Sequence, residues 1–152
     1  MSRFQGFAEL RVPLDLVRKL EYDLERILKS PQDQNAAFDF FVTAEHIVDW
    51  IHPDDATART TLRSSSSLLK VTSHLANGAK HFEAKAKHHR SVTDVEKSTY
   101  VATGYIEDGY TEESLIVHLS AEEQQWFGNC SIEVAALARQ VYEYWKANAP
   151  ES

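Results

Sequence analysis

The sequence predicts an α+β fold, mainly a helical bundle of about four helices, with a small antiparallel hairpin or meander before the last helix. Three observations carry this expectation. Apolar residues recur at three- and four-residue steps from Leu14 to Ala86. Between Ser91 and Leu119 β-branched residues become frequent and Gly104 and Gly109 appear. A helical period then returns after Gly128-Asn129.

The first helix starts at Pro13, a residue suited to a first turn because its missing N–H would be unpaired there anyway. Leu14, Val17, Leu20, Leu24, Ile27 and Leu28 form its apolar stripe as far as Lys29, and Ser30-Pro31 ends it. Asp33 or Asn35 caps a second helix carrying Ala36, Phe38, Phe41, Val42, Ile47, Val48 and Ile51. That helix is apolar around most of its circumference, so it is expected at the centre of the domain, and His52-Pro53 stops it. Residues 53–63 are polar and read as a loop or a short helix. Any of Ser64 to Ser67 can cap a third helix bearing Leu68, Leu69, Val71, Leu75, Ala79, Phe82 and Ala86. Its basic end, Lys85 to Arg90, suits the negative end of the helix dipole.

Thr99–Ile106 and Ser114–Leu119 read as two strands around a Glu107-Asp108-Gly109 turn. Gln124–Phe127 is expected as a third short strand. The last helix presents Val134, Leu137, Val141, Tyr144 and Trp145 on one face. No internal repeat or linker divides the chain. Residues 1–152 are read as one domain, with a helical core at 13–90, a hairpin at 98–119 and a C-terminal helix at 130–147.

Composition narrows the function. The chain has 152 residues, enough to bury a core without disulfide or metal staples. Its 16 Lys and Arg against 23 Asp and Glu leave a formal charge of −7, which argues against a nonspecific nucleic-acid binder. The single Cys130 cannot form an intrachain disulfide, so a cytoplasmic setting is expected. No segment approaches the roughly 18 apolar residues of a membrane span, so no membrane partner is expected. Dinucleotide, P-loop, CxxC, HExxH and nucleophile-elbow motifs are all missing, and no cofactor is implied.

The histidines stand out instead. His46 and Asp49 fall one turn apart on one face of the second helix. His74, Asn77 and His81 share a face of the third, beside Gly78, whose position inside a helix signals a close backbone or ligand. Packed antiparallel, the two helices are expected to bring His46 and Asp49 against Asn77 and His81. Such a seam can simply lock two helices in register by hydrogen bonding. Alternatively, His46 and Asp49 with His74 or His81 make the two-histidine, one-carboxylate set of a metal enzyme. A third chemistry is metal-free attack on a phosphodiester, with a histidine as general base and Asn77 and Lys80 holding the phosphate.

The segments Ala44-Glu45-His46-Ile47-Val48-Asp49-Trp50 and Ala76-Asn77-Gly78-Ala79-Lys80-His81-Phe82 resemble those of uncharacterised bacterial and phage-borne helical proteins. Those proteins read as relatives of the HEPN (higher eukaryotes and prokaryotes nucleotide-binding) superfamily. The resemblance covers Ala36 to Phe82, about a third of the chain. It implies a helical bundle that often forms a homodimer. It also implies metal-independent RNA processing or RNA binding in a toxin–antitoxin or phage-defence setting. Asn77 and His81 resemble the polar residue and histidine of the family's motif. Ala76 precedes Asn77 where an arginine would stand, so the phosphate-stabilising role falls to Lys80, a point charge rather than a bidentate fork.

Three classes of function follow. One is RNA chemistry through His81, with Asn77 and Lys80 assisting and His46 and Asp49 orienting. Another is a noncatalytic interaction module whose acidic surface meets a basic protein partner. The last is a metal-dependent enzyme.

Overall fold

The computed structural model describes residues 4–81, 89–101 and 111–151, with the backbone alone at 80, 81, 98–101 and 111–113. Among these residues, in chain order, are α1 (Pro13–Lys29), α2 (Gln34–Ile51), α3 (Ala56–Ser64), α4 (Ser67–His81), β1 (Val92–Val101) and β2 (Thr111–Leu119). These are followed by α5 (Ala121–Phe127), β3 (Ser131–Glu133) and α6 (Val134–Asn148). The fold is α+β and mainly helical, as the sequence predicts.

Local chemistry accounts for the helix starts. The Asp15 carboxylate accepts the backbone N–H groups of Arg11 (2.8 Å) and Val12 (3.0 Å) just ahead of α1. Those donors have no partner within the helix, so the carboxylate replaces lost water. Asp33 caps α2 by accepting from Asn35 and Ala36, and Asp55 caps α3 through Ala58. The residues read as a loop or short helix are thus the helix α3. Ser66 takes the Leu69 N–H at 3.2 Å and opens α4.

Helix α2 occupies the centre, packed against α1, α3, α4 and α6. Its Ala36, Phe40, Ala44 and Ile47 are wholly buried. They join Leu20 and Ile27 of α1, Leu69 and Val71 of α4, Val117 of β2, and Leu137, Val141 and Trp145 of α6 in one hydrophobic core. A helix apolar on several sides can be stable only where it is enclosed in this way.

The strands form an antiparallel meander in the order β1-β2-β3. Two sequence expectations are corrected by the strands and α5. β1 begins at Val92 rather than Thr99, because Val92 to Lys97 pair with Leu115 to Leu119 even though their side chains are mostly polar. Gln124–Phe127 is not a strand but the end of α5. Ser120 leads into it with extended backbone, Glu122 and Glu123 favour the positive end of its dipole, and Gly128 stops it at φ 78°. The third strand follows at Ser131–Glu133, against Ile116 to His118. The Glu107-Asp108-Gly109 turn and the stretch from Phe82 to His88 lie outside the described residues. Cys130 is exposed, and Trp126 is exposed while Trp145 is buried. No helix among the described residues is long and apolar enough to cross a membrane.

Candidate functional site

The polar centre of the bundle lies where α2, α3 and α4 meet. His46 and Asp49, one turn apart on α2, are in contact as their spacing predicts: His46 Nδ1 lies 3.2 Å from Asp49 Oδ2. The two side chains are 41% and 39% exposed, so the pair is open to solvent on one side.

The groups that meet them come from α3. Arg63 donates Nη2–H to Asp49 Oδ1 at 2.7 Å, and its Nε–H goes to Glu45 Oε1. The same glutamate oxygen accepts from Ser73 Oγ of α4 at 3.3 Å. Arg59, one turn before Arg63, lies 3.7 Å from Asp49 through Nε. Its Nη1 donates to the His52 and Pro53 carbonyls at 2.7 and 3.1 Å, closing off the end of α2. One guanidinium therefore links two carboxylates, and through Glu45 and Ser73 it ties three helices together.

The electrostatics follow from burial. Glu45 is only 4% exposed. Desolvation pushes its carboxyl above the usual glutamate range, with the charge and hydrogen bond of Arg63 opposing. For Asp49 desolvation also acts upward, but the hydrogen bonds from His46 and Arg63 and the Arg63 charge outweigh it. Its carboxyl is held below the usual range. For Arg63 burial acts against the charged form, yet Glu45 and Asp49 together raise its basicity. An ionised carboxylate can only accept, so His46 donates Nδ1–H to Asp49 in this pair.

Sequence reasoning singled out His46 and Asp49 but not Glu45, Arg59, Arg63 or Ser73. The signal for Glu45 was available: it falls four residues after Phe41 and three before Val48, on the apolar stripe of α2. A carboxylate in that position calls for a buried cation. Arg59 and Arg63 share one face of α3 at four-residue spacing, but nothing local says which helix that face meets.

Helices α2 and α4 run antiparallel, with Glu45 against Ser73 and Phe38 and Phe41 beside Leu75 and Gly78 around one cleft. Asn77 turns its amide to its own helix, donating to the Ser73 carbonyl at 2.8 Å. His74 accepts the Val92 N–H through Nδ1 at 3.0 Å. Its ring stacks on His89, with centroids 5.4 Å apart, so it joins α4 to the start of β1. Lys80 and His81 belong to the last turn of α4, and their side chains lie outside the described residues. Among the described residues no backbone outside its own helix is pressed against Gly78, contrary to one expectation for a mid-helix glycine: none of their atoms beyond that helix backbone lies within 4 Å of where a Cβ would sit. Among the described residues, no three His, Cys, Asp or Glu side chains are placed to share one metal ion.

No family model, curated protein or solved structure matches this chain.

Proposed function

We propose that the chain is a noncatalytic interaction module in which the polar seam of α2, α3 and α4 is structural. The observation that carries this reading is the commitment of Arg63. Its guanidinium is hydrogen-bonded to two carboxylates at once, and Arg59 is bonded to two carbonyls and drawn toward Asp49. A phosphodiester site needs cations available to the charge that develops on the phosphate. For these two arginines that capacity is already satisfied within the protein. The formal charge of −7 favours a basic protein partner over a nucleic-acid backbone. The lone Cys130 fits a cytoplasmic setting.

A second reading has its own observation. The His46–Asp49 pair is solvent-accessible, and a carboxylate held against one ring nitrogen orients the imidazole as in a general base. On this reading the chain is a HEPN-like RNA-processing protein acting as a homodimer, with Asn77, Lys80 and His81 supplying the second half of the site.

The deciding experiment compares wild type, His46→Ala and His81→Ala on single-stranded RNA of mixed sequence, without added metal, from pH 5 to 9. The interaction-module reading expects background cleavage from all three proteins. Cleavage that either substitution abolishes in a folded protein establishes the second reading.

A further inference from the structure

Toward the N-terminal half of α2, displaced along the helix from the polar seam, a cleft of about 400 Å³ opens between α2, α4 and the sheet. Its walls are Ala37, Phe38 and Phe41 from α2, Leu75 and Gly78 from α4, and Leu115 from β2. That volume lies near the lower end of the range for small-molecule sites. Phe38 is 48% exposed and Val95, on the β1 side, 43% exposed. Large apolar groups thus stand at the mouth as well as the floor.

Two features are unexplained by the packing of the protein itself. The first is Gly78. Glycine weakens a helix interior and is usually kept for close backbone approach. Here, among the described residues, the Cβ position is open and lies beside the cleft, so what the glycine preserves is room. The second is Lys97. In the β1–β2 register Val95 faces Val117 and Lys97 faces Leu115. Val117 and Leu115 are both buried against the helices, so side-chain alternation puts Lys97 on the apolar, inward face of the sheet. Lys97 nevertheless remains exposed, lines the cleft and has no ion-pair partner among the described residues. Asp94, also at the rim, falls on the opposite face by the same alternation, and its carboxylate takes the Val95 N–H at 2.8 Å.

We infer that this cleft binds a compact apolar monocarboxylate, its hydrocarbon between Phe38, Phe41 and Leu115 and its carboxylate at Lys97. An apolar floor with one cation at the mouth matches an amphiphile with a single anionic end. The cleft shares no side chain with the polar seam, so this inference and the proposed function stand or fall separately.

The test is titration calorimetry with decanoate and decan-1-ol on wild type, Gly78→Leu and Lys97→Met. Decanoate is expected to bind wild type saturably at one site. Gly78→Leu, which fills the cleft, is expected to weaken both ligands at least tenfold. Lys97→Met is expected to weaken decanoate at least fivefold while leaving decan-1-ol unchanged. It alters an exposed side chain, so its readout does not depend on how Gly78→Leu folds. Absence of saturable decanoate binding overturns the inference. So does binding indifferent to Lys97→Met, or binding that a folded Gly78→Leu retains in full.

Discussion

Arg63 and Glu45 stand 18 residues apart in sequence and are joined by a direct hydrogen bond that pins α3 to the buried face of α2. The helix that supplies the arginine has no buried residue of its own. An element with so little apolar burial needs another anchor, and Arg63 and Arg59 provide it. The relationship also explains how a glutamate is accommodated beside Ala44 and Ile47 in the core.

Removing the arginine should therefore be costly. Arg63→Ala leaves the Glu45 carboxylate buried without its cation, and a loss of about 3 kcal/mol is expected. That is the low end for breaking a buried pair, because Arg63 is itself partly solvated. Urea unfolding measures it. Replacing both members, as Glu45→Leu with Arg63→Met, is expected to recover most of the loss, since neither charge then remains stranded.

His46→Ala should behave differently. Its bond to Asp49 is between half-exposed groups, so an expected cost of about 1 kcal/mol or less follows from solvent screening and side-chain entropy. A small drop in melting temperature with native circular dichroism is the expected outcome.

Acid and base should act on the seam in opposite senses. Asp49 is held below the usual carboxylate range, so its contribution is present above that range and is lost as pH falls through its folded value. Glu45 is held above the usual glutamate range. Its contribution is complete below that range and erodes as pH rises through the folded value. Glu45→Gln cannot ionise, so the stability of wild type relative to this variant should decline as pH rises through that window. Chemical unfolding in steps from pH 4 to 7 measures the difference.

Gly78→Ala should stabilise the protein by about 0.5–1 kcal/mol. It relieves the entropic cost of glycine in a helix, and among the described residues the new methyl meets nothing within 4 Å outside its own helix. Thermal unfolding of the single variant is sufficient to check this.

Local patterns gave the helices readily, because each element there is specified by its own residues. The stripe of α1, the enclosed character of α2 and the Asp33 cap are all visible in sequence. The contact between His46 and Asp49 was visible for the same reason, being a matter of helical spacing alone. What escaped was tertiary. Gln124-Gln125-Trp126-Phe127 has strand-like residues, but Ser120, the acidic first turn and Gly128 impose a helix. β1 starts early because its partner strand and His74 supply hydrogen bonds that a polar stretch does not advertise. Arg63 is an ordinary surface-helix residue until α3 folds back onto α2, and only then does its role appear.

On the structural reading of the seam, the Arg63–Glu45 contact holds the bundle together rather than serving chemistry. A double-mutant cycle on unfolding free energy, using Glu45→Gln, Arg63→Met and the double variant, tests it most directly. A coupling of about 2 kcal/mol or more between the two positions is expected. Additive effects, with coupling near zero, would contradict it and make Arg63 a new candidate for binding an anion.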